Sequence, residues 1–287
     1  MSEPAYSVRA SLLKCFARSP AHAKFFIDGG FTDETLSMRL GTGGHALLFG
    51  TPEVIVYRGG VLKKEKTKKG KRGEPDTIEV IEKEYSDVRN GELWDLFKVE
   101  HAGKVILNET EHAKAAAMAR AVQSHPDADR LLFSPGTVHE QLVEWIYDGR
   151  RCTGRLDSLG LRAIADLKCV QDASPRRLPW QARKMGWAAQ LAWYSDGVEL
   201  AGMDARPSYL IAVENSPPFN VQVYEMTLED MEFGRDQYIA WFDRLIECER
   251  DNAWPGYHNG ILPLNVLGLP IADEDLADEA EPDDVAA

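Results

Sequence analysis

Cysteine is scarce in this 287-residue sequence, and no two cysteines form a C-x-x-C pair. The four that occur, at positions 15, 152, 169 and 248, are far apart in the chain. Zinc knuckles and iron–sulfur clusters take closely spaced cysteine ligands, so this spacing argues against both kinds of site. We expect four free thiols that pack as small apolar side chains.

Long apolar runs are missing as well. No run approaches the roughly 20 apolar residues that a membrane span needs, and no apolar segment follows a basic start at the N-terminus. We therefore expect a cytoplasmic protein with no membrane partner.

An excess of positive charge is also absent, since the formal net charge is −13. Eight of the acids lie between Asp273 and Asp284, where no base occurs, so residues 1–271 hold 33 bases and 38 acids, a formal charge of −5. This balance argues against a generally basic nucleic-acid binder. We expect residues 1–271 to form one domain and residues 272–287 to form a disordered, solvated acidic tail.

Two common catalytic motifs are incomplete. The segment "HEQLV" is not H-E-x-x-H, because Val143 occupies the place of the second histidine. The segment "GTGGHA" lacks the Gly-Lys-Ser/Thr of a phosphate-binding loop. A zincin site and a P-loop are therefore excluded, and no internal repeat period is present.

Helical and strand patterns alternate along the chain, which predicts an α/β fold. Capping boxes at Asn108 and Thr227 each predict the start of a helix. We predict helices over 7–20, 108–126, 174–197 and from 227, and a glycine-rich connection over 39–50. Strands are predicted over 53–57 and 76–82. Three further strands are predicted over 137–169, with turns at Asp148-Gly149 and near Gly160.

A basic segment lies between the first two predicted strands, within a predicted hairpin near residues 60–76. Between Lys63 and Arg72 there are seven bases and one acid. Two interpretations stay open: a solvated hairpin tip, or a mobile arm that touches phosphates and gives salt-dependent binding.

Charged residues interrupt the otherwise apolar segment "GRLDSLGLRAIADLKC". Asp166 and Lys168 are two apart on a predicted strand, so their side chains share one face. Asp157 on the preceding strand is predicted to lie opposite Asp166, and Glu140 on the strand before it can join the same face. Carboxylates so close repel one another unless something compensates them.

A divalent cation would be such a compensation, and a salt-bridged sheet is the alternative. Carboxylate oxygens suit Mg²⁺ or Mn²⁺, and the backbone carbonyl of Leu167 would be a further ligand. Lys168 would hold a water or steady negative charge that grows on a phosphate. Together these groups predict metal-assisted hydrolysis of a phosphodiester.

The next predicted helix places Gln190 and Tyr194, four residues apart, on one face. The order of an aspartate, a D-x-K and a helix with Q-x-x-x-Y resembles the PD-(D/E)XK nucleases. Within them it is most similar to the RecE-type 5′→3′ DNA exonucleases of phages and prophages, which are related in fold to lambda-type exonuclease and RecB-type nuclease domains. Other agreeing phrases are "LLKCFARSPAHAKFF", "MRLGTGGHALLFGTPE", "ELWDLFKVEHAGKVIL", "HEQLVEW" and "WPGY".

The resemblance spans about residues 7–262 and implies a restriction-endonuclease-like core with a central mixed sheet flanked by helices. It also implies site residues, which we carry over position by position. These are His45 as the histidine near the metal, Glu140 as the first acidic position, Asp157 and Asp166 as metal-binding aspartates, Lys168 as the catalytic lysine, and Gln190 with Tyr194 facing the scissile strand. Histidine is a softer ligand than Mg²⁺ prefers, so His45 either binds the ion or orients a water or phosphate.

By the same resemblance we expect a Mg²⁺-dependent exonuclease that digests linear double-stranded DNA from 5′ ends and leaves 3′ single strands. A homo-oligomeric ring and a single-strand annealing protein are the implied partners. Two other classes stay open, namely a structure-specific or single-strand endonuclease on the same fold, and a non-catalytic DNA-binding scaffold. The candidate DNA-contacting bases are Arg176, Arg177, Arg183, Lys184, Lys68 and Lys69.

Overall fold

The computed structural model describes residues 6–30, 34–68, 77–257 and 260–261, with the side chains of residues 68 and 77–79 left undescribed. The strands are β1 Val8–Arg9, β2 Val54–Val56, β3 Gly60–Lys68, β4 Thr77–Tyr85, β5 Val105–Leu107, β6 Val138–Tyr147, β7 Arg150–Leu159, β8 Ile164–Val170, β9 Ser208–Glu214 and β10 Val221–Glu225. The helices are α1 Ala10–Leu13, α2 Pro20–Ile27, α3 Leu36–Phe49, α4 Gly91–Glu100, α5 Glu109–Ser124, α6 Pro126–Phe133, α7 Leu178–Lys184, α8 Trp187–Leu200 and α9 Leu228–Asp251.

A central mixed sheet organises the described part of the chain. Its strands lie in the order β1-β7-β8-β9-β10, with β6 paired to β7. The β6–β7, β7–β8 and β9–β10 pairs are antiparallel, whereas β1–β7 and β8–β9 are parallel. The α/β class with a central mixed sheet flanked by helices, predicted from the sequence, is therefore confirmed.

Helices cover both faces of this sheet. On one face, α8, α9 and the N-terminal segment bury a cluster that includes Trp193, Leu191 and Phe242. On the other face, α3, α5 and α6 pack Leu40 and Met118 against the sheet. Strand β8 contributes to both layers because its side chains alternate.

The prediction of a glycine-rich connection over 39–50 is wrong, because residues 39–49 belong to α3 and Gly50 caps its end. Thr35 caps the helix by accepting the Met38 N–H. Tertiary packing overrides the low helix propensity of glycine here. A Cβ on Gly43 would lie 2.7 Å from Leu107 Cδ1, so a larger residue there would force the buried Leu107 side chain to shift.

The helix predicted over 174–197 differs in three respects. Ser174 begins a turn instead of capping a helix, and α7 begins at Leu178. The predicted continuous helix is interrupted at Gly186, whose φ of +63° ends α7. The helix also passes through Gly197, where an added Cβ would lie 2.6 Å from the Trp145 ring.

The N-terminal segment is not the single helix predicted over 7–20. It consists of β1, α1 and a 3-10 turn over Lys14–Ala17. The capping boxes at Asn108 and Thr227 begin α5 and α9 as predicted. None of the described helices is long and apolar enough to cross a membrane.

Candidate active site

Strands β7 and β8 form a fork near the middle of the sheet. They pair at Ser158–Ala165 and Leu159–Ile164, and the ladder does not extend to Asp157 and Asp166. In the fork, the Leu167 N–H donates a hydrogen bond of 2.8 Å to Asp157 Oδ2. A side-chain oxygen thus takes the place of a backbone partner for Leu167, which fixes the carboxylate of Asp157.

Three side chains from three elements meet at this fork. His45 comes from α3, Glu140 from β6 and Asp157 from β7, and one ligand atom from each lies within 4.8 Å of the others. His45 Nδ1 is 3.5 Å from Glu140 Oε1, and Nε2 is 3.7 Å from Asp157 Oδ2. His45 Nε2 also lies 3.1 Å from the carbonyl oxygen of Leu167.

Glu140 has a left-handed backbone conformation, with φ of +51°. This region is uncommon for residues other than glycine, and such strain often marks functional sites. The β6–β7 ladder pairs His139 with Ser158 and Gln141 with Leu156 but omits Glu140. The strained position therefore carries one of the three clustered side chains.

The charges of the cluster compensate one another. Burial lowers the pKa of His45, but the charge of Asp157 and the bond to Glu140 outweigh it and raise the pKa to about 9. Burial and the charge of Asp166 raise the pKa of Asp157 to about 6, although His45 and Lys168 act in the opposite direction. The neighbouring carboxylates of Asp157 and Glu140 thus favour the protonated form of His45.

A second polar group lies on the face of β8 that packs against α8. Asp166 is 1% exposed, and Lys168 Nζ lies 2.5 Å from its Oδ2. Gln190 Nε2 donates to Asp166 Oδ1 at 3.3 Å and to the Tyr194 hydroxyl at 3.0 Å. The structure therefore brings together the D-x-K pair and the Q-x-x-x-Y pair, on the faces that their spacing predicts.

Lys168 stays charged in this environment. Burial lowers the pKa of Lys168, but the carboxylates of Asp166 and Asp157 outweigh it and raise the pKa above its usual range. Its Nζ also lies 5.8 Å from the centre of the Trp187 ring, and this cation–π contact stabilises the ammonium group.

Sequence patterns missed one residue of this group, Lys14. From the 3-10 turn after α1, its Nζ donates a 3.0 Å hydrogen bond to Gln190 Oε1. Burial and the nearby charge of Lys168 lower the pKa of Lys14 to about 8. Because 176 positions separate Lys14 from Gln190, no local spacing indicates the contact. The sequence feature that could have pointed to Lys14 is a lysine within an otherwise apolar helical stretch.

The bases predicted to contact DNA are only partly described, and those of the 176–184 segment contact two different aromatic rings. Arg177 Cζ and Lys184 Nζ lie 5.0 Å and 4.8 Å from the centre of the exposed Trp180 ring. Arg183 instead lies 5.1 Å from the Phe233 ring on α9. Arg176 is exposed. Lys69 and the side chain of Lys68 are outside the described residues.

The basic hairpin is less positive than its sequence alone indicates. Strand β4 places Glu82 opposite Lys63, and the two side chains form an ion pair. A further ion pair joins Lys64 to Glu92 of α4. The hairpin tip lies outside the described residues, so both interpretations of the basic segment stay hypotheses.

The donor set at the fork fits a hard divalent cation. Glu140 and Asp157 supply carboxylate oxygens, and the Leu167 carbonyl lies beside them within reach of His45. The three-residue group does not include Asp166, whose carboxylate is engaged by Lys168 and Gln190. Its role as a metal ligand stays a prediction.

A mixed sheet between two helical layers, with an acidic cluster beside a D-x-K strand, defines a fold of the PD-(D/E)XK nuclease superfamily. Within that superfamily, the chain belongs to the family described as PDDEXK-like domain of unknown function (DUF3799), which it matches over residues 9–261.

One solved structure agrees with this assignment of the fold. A crystal structure from Eubacterium rectale named "Putative exonuclease" is similar over 93% of this chain and 93% of that chain, with 14% identity and a TM-score of 0.57. At this identity the likeness shows the fold alone. The structure of SSO0001, at 14% identity, covers 51% of this chain and 69% of that chain with a TM-score of 0.24, which carries no argument. No curated protein matches the chain.

Proposed function

We propose that this protein is a Mg²⁺-dependent exodeoxyribonuclease of the RecE type. It hydrolyses linear double-stranded DNA from 5′ ends and leaves 3′ single-stranded overhangs for recombination by single-strand annealing, with Mn²⁺ able to replace Mg²⁺. The proposed nuclease domain covers residues 1–271, and the acidic tail, residues 272–287, lies outside the described residues. The proposed place of action is the cytoplasm.

The observation that carries this proposal is the pairing of two charge clusters at one fork in the sheet. Glu140 and Asp157 face His45 on one side, and Lys168 and Asp166 form an ion pair on the other. Purely structural ion pairs seldom place this many buried charges together, because each one is costly to desolvate. Membership of a PDDEXK-like family supports the same chemistry.

Each side chain has a proposed task. Glu140, Asp157 and the Leu167 carbonyl would hold the cation, with His45 either as a further ligand or as a donor to a water or phosphate oxygen. When bound, the cation would lower the pKa of a water and stabilise charge on the phosphate. The ammonium group of Lys168 would stabilise the negative charge that grows on the phosphate oxygens.

Gln190 and Tyr194 would orient the scissile strand from α8. Asp166, the second proposed metal-binding aspartate, contacts both Lys168 and Gln190. The reaction is hydrolysis: a water oxygen bonds to phosphorus, the bond to the leaving sugar oxygen breaks, and that oxygen takes up a proton.

We further propose a homo-oligomeric ring around the DNA and a single-strand annealing protein as partner. A ring would reconcile the formal charge of −13 with DNA binding, because basic residues need line only the inner channel. Arg176, Arg177, Arg183, Lys184, Lys68 and Lys69 are the proposed contacts with DNA.

The test is digestion of a linear duplex with one label at the 5′ end and another at the 3′ end, beside a covalently closed circle of the same sequence. With Mg²⁺ we expect early release of the 5′ label, an intact circle, and no digestion in EDTA. Lys168→Met should lower the rate by about 10²-fold, whereas Lys24→Met, which removes an exposed lysine from α2, should not.

Each alternative has its own outcome in this assay. Cleavage of the circle would indicate an endonuclease on the same fold. Metal-independent DNA binding without digestion by the unmodified protein would indicate a scaffold and would overturn the proposal.

A further inference from the structure

A cavity of about 320 Å³ lies apart from the fork, between α3, α4 and β5. This volume is within the range of small-ligand pockets, roughly 300–1,000 Å³. The charged residues of its wall are four bases and one acid, namely Arg39, Arg89, Lys98, Lys104 and Glu34. A basic wall is unexpected in a chain with 13 more acids than bases.

The two arginines of this basic cavity share a single carboxylate. Arg39 Nε and Arg89 Nη1 both donate to Glu111 Oε1 at 3.0 Å, and Arg89 Nη2 bonds to Oε2. The Glu111 side chain is 5% exposed and lies behind the wall. Glu111 and the wall acid Glu34 together offset the two guanidinium charges, so the positive charge available to an anion comes from Lys98 and Lys104.

The two lysines are paired only at the surface. Lys98 bonds to Asp95 at 3.0 Å and Lys104 to Glu53 at 2.9 Å, and both acids are 68% exposed. Exposed pairs of this kind contribute little, about 0–1 kcal/mol. An anion inside the cavity can therefore recruit both ammonium groups at small cost.

An aromatic ring stands among these bases. Trp94 lines the cavity and is half-buried. Arg89 Cζ lies 5.8 Å and Lys98 Nζ lies 5.5 Å from the centre of its ring. Aromatic rings beside basic groups are the usual elements that bind a nucleotide in single-stranded nucleic acid, because the base stacks and the phosphate is neutralised.

The cavity shares a helix with the candidate metal cluster. Arg39 and Thr42 line it from α3, and His45 follows on the same helix. Six residues from Arg39 to His45 span about 9 Å along the axis. A strand that runs along α3 would cover this rise in two or three nucleotides, at about 3.4 Å each.

We propose that the basic cavity binds one nucleotide of the substrate strand, two or three positions from the scissile phosphodiester. Its phosphate contacts Lys98, Lys104 and the arginine pair, and its base stacks on Trp94. This inference rests on the proposed function, because it takes a nucleic-acid strand as substrate.

The test compares two double variants that remove the same charge. Lys98→Met with Lys104→Met changes the cavity. Lys24→Met with Arg130→Met removes two bases of similar surface ion pairs elsewhere. Binding of a fluorescent single-stranded oligonucleotide is measured in EDTA at several salt concentrations. We expect the cavity variant to bind about tenfold more weakly and its salt slope to fall by about 1.4, and the control variant to match the unmodified protein.

A second arm uses the unmodified protein with an abasic residue moved along a partly single-stranded substrate. Binding should weaken when the abasic residue is two or three nucleotides from the cleavage position and recover elsewhere. Deoxyadenosine monophosphate should compete only at millimolar concentration, which distinguishes a strand from a free nucleotide.

The outcomes separate this inference from the proposed function. Equal binding and equal salt slopes for the two double variants, with DNA digestion intact, would overturn the cavity assignment alone. Tight competition by the free mononucleotide would overturn the strand assignment. Absence of DNA binding by the unmodified protein would overturn the proposed function as well.

Discussion

Gln190 illustrates how a single side chain depends on distant partners. Its carbonyl oxygen accepts from Lys14, so its amino group is the end that faces Asp166 and Tyr194. A side-chain amide with both ends bonded has one orientation. Lys14 is therefore positioned to fix the amide that would face the substrate, and among the described residues it has no carboxylate partner of its own.

We predict that Lys14→Met lowers kcat by about tenfold and changes KM little, because the Gln190 amide loses the charge-assisted bond that holds it. The measurement is steady-state digestion of linear duplex DNA. Lys14→Arg, which keeps a donor, should recover much of the rate.

The dependence on Gln190 can be checked directly. In a Gln190→Ala background, Lys14→Met should cause no further loss, because its partner is already gone. Two independent, multiplicative losses would show that Lys14 does not act through the amide.

Helix α3 depends on glycines that its sequence presents as helix breakers. Gly43 faces Leu107 and Ala115, whereas an added Cβ on Gly44 would meet only Met118 Cε, at an ordinary 3.7 Å. The two adjacent glycines therefore have different structural roles, and α3 in turn places His45 at the fork.

We predict that Gly44→Ala raises the free energy of unfolding by about 0.5–1 kcal/mol, because alanine favours the helix. Gly43→Ala should be at least about 1 kcal/mol less stable than Gly44→Ala, because its Cβ forces Leu107 and Ala115 apart. Urea denaturation of both variants provides the comparison. Equal stabilities would show that the contact between α3 and β5 adapts without cost.

The start of α5 contains a buried carboxylate with two arginine partners. Burial raises the pKa of Glu111, but the Asn108 N–H and the guanidinium groups of Arg89 and Arg39 outweigh it, so the pKa lies below its ordinary 4.5. A carboxyl with a lowered pKa stabilises the fold above its unfolded pKa. That contribution disappears as the pH falls through the folded value.

We predict that Glu111→Gln lowers the free energy of unfolding by about 2 kcal/mol at pH 7, because it leaves two half-buried guanidinium groups without their carboxylate. The difference from the unmodified protein should shrink as the pH falls below 4.5. Denaturation at pH 7 and pH 4 measures it, with Glu109→Gln as the control, since Glu109 pairs with Arg58 at the surface. A pH-independent difference would contradict the assignment.

At the scale of the whole molecule, charge constrains assembly. A formal charge of −13 disfavours non-specific association with DNA. We predict that sedimentation equilibrium at moderate salt gives a mass of at least three 32.1 kDa chains, as a closed ring requires. A mass of 32.1 kDa at micromolar concentration would contradict the ring and leave the chemistry of the fork unaffected.

Local sequence patterns determined much of the architecture. Capping boxes set the starts of α5 and α9, and strand alternation put Asp166 and Lys168 on one face. These features depend on neighbouring residues only, so spacing and hydrogen-bonding capacity are sufficient to predict them. The assignment of His45 to the site came from the resemblance to a nuclease family, because no local sequence pattern connects His45 with Asp157.

Tertiary structure alone decided the remaining features. The fork between β7 and β8 made Asp157 a partner of the Leu167 N–H, close packing made a helix of the glycine-rich segment, and folding brought Lys14 to Gln190. Each of these depends on groups that the chain brings together from far apart, where burial and close contact outweigh intrinsic propensity. The sequence thus determined most helices, strands and candidate site residues, and tertiary packing determined which of them are in contact.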